Sequence, residues 1–113
     1  MEQVNTMLAI LDSLTEEVVF VDTEHTIRYM NQAGINHYAA RGAAIGKSIF
    51  SCHNQQSAIR IKDIFKQLQA GVEEVLFADN EKHRVYMRAV RDDTGKLLGY
   101  YERYAPPREF SGR

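Results

Sequence analysis

The chain has 113 residues, 14 basic against 15 acidic, and a formal net charge of -1. That balance excludes the positive field that gathers nucleic-acid phosphates or anionic lipid, and the lack of any apolar run near roughly 20 residues excludes a membrane-spanning helix. The single cysteine, Cys52, excludes an intrachain disulfide and, with only four histidines beside it, makes a closed four-ligand zinc site a poor fit. Together with an N-terminus that lacks a secretory pattern, this composition predicts a cytoplasmic protein.

A chain of this length forms one domain that buries roughly two-thirds of its unfolded surface. Val4, Met7, Leu11 and Leu14, with Leu8 beside them, follow the three-and-four spacing of an amphipathic opening helix. Val18 to Val21 is β-branched and aromatic, as strands are. The polar turn Asp22-Thr23-Glu24-His25 then leads to an alternating strand from Thr26 to Met30, which makes the pair an antiparallel hairpin with His25 exposed at its tip. Asn31 is a suitable N-cap for a short helix stopped by Gly42, with Ile35 and either Tyr38 or Ala39 facing inward and His37 on the surface. A loop follows, with one helical turn expected near Ser48 to Phe50, anchored by Ile49 and Phe50.

Asn54 caps the longest helix, in which Ala58, Ile61, Phe65 and Leu68 share one side and Arg60, Lys62 and Lys66 form a solvated face around Asp63. Gly71 closes it. Three strands remain, at 72–78, 83–91 and 97–104, joined by Asp79-Asn80-Glu81 and Asp92-Asp93-Thr94-Gly95. In the middle strand Val85, Met87 and Ala89 alternate with Arg84, Tyr86 and Arg88, so one sheet face is buried. Pro106-Pro107 ends the pairing. The divisions are an N-terminal helix at 1–15, a domain at 16–105 and a flexible tail at 106–113.

This order predicts an α+β fold, a five-stranded antiparallel sheet with its helices on one face. From about residue 8 to 104 the chain resembles a PAS domain, on Val18-Val19-Phe20-Val21-Asp22, Tyr29-Met30-Asn31-Gln32-Ala33, Gly46-Lys47-Ser48, and Asp92-Asp93-Thr94-Gly95 through Gly99. The resemblance implies a sensory or interaction module with a cavity between sheet and helices that holds haem, flavin, a small metabolite or nothing. Cys52-His53-x-x-x-Ser57 further resembles the Cys-His-Pro-x-x-Ser stretch of PAS domains linked to hemerythrin-like proteins. It is also similar to the His-Pro-x-x-Ser stretch of carbon-monoxide-responsive regulators, whose histidine binds haem iron. Here Asn54 stands where those have proline. Light-sensing flavin PAS domains have a cysteine followed by arginine and amides on the late strands, which this chain lacks.

The stretch from Gly46 to Ser57 is therefore expected to hold the site. Beside a helix N-terminus His53 is favoured as neutral imidazole, the form that binds metal. Turned inward, it would border an apolar pocket walled by Ile61, Phe65 and Leu68, where haem b takes one axial imidazole, with Met87 or Cys52 as a second ligand. Against this stand the simpler roles of His53 as a packed polar residue, Met87 as core and Cys52 as a small buried hydrophobe. Glu16-Glu17, Glu73-Glu74 and Asp92-Asp93 diverge as neighbours do, and Lys47-Ser48 lacks a phosphate-loop glycine, so no enzyme is expected. The expected function is a sensor of a small ligand or cofactor, forming a homodimer through the N-terminal helix and signalling to a separate partner protein. The alternative is a ligand-free interaction module with a filled core.

Overall fold

The computed structural model describes residues 2–41 and 44–108. An opening helix α1 (Glu2–Ser13) precedes strands β1 (Val19–Asp22) and β2 (Ile27–Met30), helix α2 (Gln32–Tyr38), 3-10 turns at Ala39–Arg41 and Ile49–Cys52, helix α3 (Gln55–Gln69), and strands β3 (Glu74–Asp79), β4 (Arg84–Arg91) and β5 (Leu97–Ala105). The strands form one antiparallel sheet in the order β2-β1-β5-β4-β3, so the last strand lies at its centre. The expected α+β fold is observed, with strand ends within about two residues of those read from the sequence.

Local chemistry explains the joints. Asp22 accepts the Glu24 and Thr26 amides on Oδ1, at 2.9 and 3.0 Å, closing the first hairpin. Burial alone would raise its pKa, but these bonds and the Arg28 guanidinium hold it below the ordinary carboxylate value. Asp92 makes the equivalent turn with Thr94 and Lys96, while Gly95 takes the positive φ of 89° that the turn requires. Both predicted N-caps are in place: Asn31 Oδ1 accepts from Gly34 and Asn54 Oδ1 from Ser57.

The core lies between the inner sheet face and α3. Ile61, Ile64, Phe65 and Leu68 pack there with Val19, Val21, Met87 and Tyr100. One expectation about facing fails. Ile35 is exposed, while Tyr38, one of the two alternatives read as inward, is buried, because α2 turns Gly34 and Tyr38 toward the sheet. The start of the tail is also tied down: Arg84 donates to the Pro106 carbonyl at 2.9 Å and Arg108 pairs with Asp79 at 2.6 Å. The expected helix stop at Gly42 and the tail from residue 109 lie outside the described residues.

Candidate functional site

Where the sheet's β3–β4 end meets α2 and the lead-in to α3, a cleft of about 280 Å³ opens. His53 reaches it because it follows the 3-10 turn in extended conformation, φ -123° and ψ 150°, just before the Asn54 cap. Its half-buried imidazole stands edge-on to Phe77 of β3, ring centroids 6.1 Å apart. Helix α2 adds His37 and Tyr38, and the turn after β3 adds Asn80, Lys82 and His83. Ala78 of β3, Val85 of β4 and Glu102 and Tyr104 of β5 complete the wall.

The polar centre of this wall is a triangle of oxygens. The Tyr38 and Tyr104 hydroxyls donate to Glu102 Oε2 at 2.9 and 3.0 Å and lie 2.7 Å from each other. Burial, then the neighbouring Glu102 charge, pushes both phenols well above their ordinary pKa, so both remain protonated donors. Behind them His37 Nδ1 meets Glu17 Oε1 at 3.1 Å, and Glu17 Oε2 is buried without a hydrogen-bond partner among the described residues. The His83 ring stands edge-on to Tyr104 at 5.0 Å, and His37 to Tyr38 at 4.6 Å.

This differs from the apolar slot read from the sequence. Ile61, Phe65, Leu68 and Met87 are 8% exposed or less, belong to the closed core, and do not line the cleft that His53 lines. The physical reason is the length of α3: its apolar side lies flush on the inner sheet face, while His53 sits beyond its N-terminal end, over β3. Cys52 turns away from His53. Its thiol donates to the Ile49 carbonyl at 3.2 Å and packs on the core. Of the stretch from Gly46 to Ser57, His53 alone lines the cleft. The donor at His53 suits haem, but the polar wall, the small volume and the distribution of Met87 and Cys52 do not fit a macrocycle in this arrangement. Among the described residues no three His, Cys, Asp or Glu side chains are grouped to hold a metal ion.

His25 corrects a second expectation. It is half-buried: its ring packs against Phe65 at 4.7 Å and Phe50 at 4.8 Å, and Nδ1 meets the Tyr100 hydroxyl at 2.8 Å. A positive φ of 65°, a region in which histidine is enriched, aims it inward. Burial first, then the Lys62 charge, lowers its pKa, against a smaller opposing effect of Asp22.

On the opposite sheet face Leu11, Leu14, Val18, Phe20, Tyr29, Val90 and Tyr101 border an apolar groove of about 560 Å³. Helix α1 has no buried residue, and Val4, Met7, Leu8, Ile10 and Leu14 are exposed. Among the described residues its hydrogen bonds to the rest of the domain are at its C-terminal end, through Leu11 and Asp12 to Asn31, Tyr29 and Gln32.

Comparison with solved structures finds the same fold. A C-terminal domain from Streptococcus mutans superposes with a TM-score of 0.77 at 22% identity, covering 96% of this chain and 88% of that one. The PAS domain of BvgS from Bordetella pertussis gives 0.60 at 17%, covering 99% and 91%. A Vibrio cholerae receptor described as a dual PAS-haem oxygen sensor gives 0.52 at 16%, covering 80% and 92%. The search of curated proteins gives no match. A PAS-domain family model matches residues 7–105, the hairpin, capped helices and central β5 described above, and the chain belongs to the PAS domain family.

Proposed function

We propose that this PAS domain is a non-catalytic sensory module that holds a small polar ligand in the His53 cleft. The observation that supports it is the cleft itself: a half-buried imidazole and a buried carboxylate face a space of about 280 Å³ rather than filling it. That volume lies just under the ~300–1,000 Å³ of small-molecule sites, so a compact metabolite fits better than a cofactor. The test is a thermal-shift screen of metabolites on the protein and on Ala78→Trp, which fills the cleft. At least one compound should raise Tm in the first and not in the second. If none does, the domain is a ligand-free interaction module.

Haem b on His53 is the second reading, favoured by the enclosed position of the imidazole at the cleft wall, and it requires the cleft to widen. Hemin titration decides it: an intense Soret band abolished by His53→Ala would replace the small-ligand reading. Output through a second copy is supported by α1, whose apolar side chains stand exposed beside the outer-face groove. No helix among the described residues is long and apolar enough to cross a membrane. A cytoplasmic setting agrees with the single cysteine, Cys52, which has no second cysteine to form an intrachain disulfide.

A further inference from the structure

We propose that the ligand of this cleft is a small organic ammonium ion, an inference that rests on the cleft being the ligand site. Glu102 lines the cleft and is only 6% exposed. Among the described residues no lysine, arginine or histidine forms an ion pair with it. Buried carboxylates are seldom left without a cation, because hydroxyl donors repay only part of the lost hydration. Here the donors are Tyr38 and Tyr104, both on Oε2. With the carboxylate ionised, three mutually close oxygens hold two protons, and an N–H or N–CH₃ group from a ligand supplies the missing positive edge.

A second observation is independent of Glu102. Glu17 Oε2 is buried without a hydrogen-bond partner among the described residues, and the Glu17 charge acts on both tyrosines. A second carboxylate, Glu17, thus stands behind the cleft wall, and its ion-pair partner among the described residues is the His37 imidazole. Aromatic rings form part of the remaining wall: Phe77, Tyr38 and Tyr104, together with the imidazoles of His37, His53 and His83. Ring faces beside a buried carboxylate are the surroundings that stabilise an alkylammonium group. Lys82, the opposing charge, is exposed on the β3–β4 turn, where water solvates it.

The experiment is calorimetric titration of the intact chain with choline, ethanolamine, acetate and 3,3-dimethylbutan-1-ol, the neutral isostere of choline. Choline should bind at least tenfold more tightly than the neutral alcohol. Glu102→Gln, which keeps shape and the tyrosine bonds, should erase that preference, while Lys82→Ala should tighten choline. Tyr104→Phe provides a second variant should Glu102→Gln fail to fold, and it too should weaken choline severalfold. Equal binding of choline and its isostere, acetate as the only binder with Lys82→Ala abolishing it, or no heat with any probe overturns the inference. Stabilisation by some other metabolite that Ala78→Trp removes would leave the cleft as a ligand site while the cation assignment falls.

Discussion

Asn31 is the residue whose replacement should tell most about how the domain is held together. Its side chain is completely buried and makes four hydrogen bonds, each 2.9 Å: Oδ1 accepts the Val18 and Gly34 amides, and Nδ2 donates to the Leu11 and Glu16 carbonyls. It therefore caps α2 and fastens the end of α1 to the start of β1. Asn31→Ala loses an N-cap worth about 0.5–2 kcal/mol and leaves Val18 N and two carbonyls short of partners at about 1–3 kcal/mol each, less what water recovers. The net is about 3–5 kcal/mol, a drop in Tm of about 12 °C or more for a domain of this size. Asn31→Asp separates the two roles. It keeps both acceptor bonds but sets an oxygen against the Leu11 and Glu16 carbonyls, so hydrogen exchange should accelerate in α1 while α2 stays protected. Urea unfolding with an unchanged m-value, together with exchange mapped by residue, measures both effects. A loss under about 1 kcal/mol in Asn31→Ala, or equal loosening of α1 and α2 in Asn31→Asp, would refute the reasoning.

Gly99 lies opposite Asp22, and an added Cβ would run into the Val21 carbonyl oxygen, so Gly99→Ala should cost at least about 3 kcal/mol by urea unfolding; a neutral result would mean that β1 and β5 separate easily. Because burial lowers the His25 pKa in the folded state, the unfolded chain binds that proton more readily. Stability from this site is therefore complete above pH 6.5 and is lost as pH falls through the folded pKa. An NMR midpoint for the His25 ring at or above 6.5, or an unaltered acid-side slope in His25→Phe, would contradict this. Met7→Glu with Ile10→Glu should convert a dimer to monomer in sedimentation equilibrium with little change in Tm, since both side chains are over half exposed; an unchanged mass would remove α1 as the interface.

The elements were legible because their signals are local. Asn31 and Asn54 announce helix starts within three residues, and Val85 and Met87 declare the buried face of β4 by parity. What depended on distant contacts was not. Ile35 fits a helical stripe, yet Gly34 and Tyr38 occupy the inward side, since a chain approaching the sheet this closely at Gly34 leaves a Cβ only 3.2 Å from Val18 O. His25 reads as a turn residue because its partners, Phe50, Phe65 and Tyr100, are remote in sequence. The apolar slot expected beside His53 rested on the stripe of α3, which the sheet covers completely.

The cleft did leave one local trace. Tyr100, Glu102 and Tyr104 alternate on a single face of β5, and Tyr100 is buried, so parity places a carboxylate on the inward side between two phenols. A charged residue on the buried face of a central strand costs stability unless something compensates it. Tyr38, 64 residues earlier, supplies one compensating hydroxyl, and no periodicity in the sequence joins those two positions. The inner row of β5 thus divides into a His25–Tyr100 contact that closes the core and a Glu102–Tyr104 pair that opens on the cleft. Helix α2 spans from that pair at Tyr38 to the Asn31 cap, which fastens α1. Helix α2 therefore joins the cleft residue Tyr38 to Asn31, which with Tyr29 and Gln32 fastens the C-terminal end of α1, and a shift of Tyr38 on uptake of the proposed ligand would act on the element that carries the exposed apolar surface.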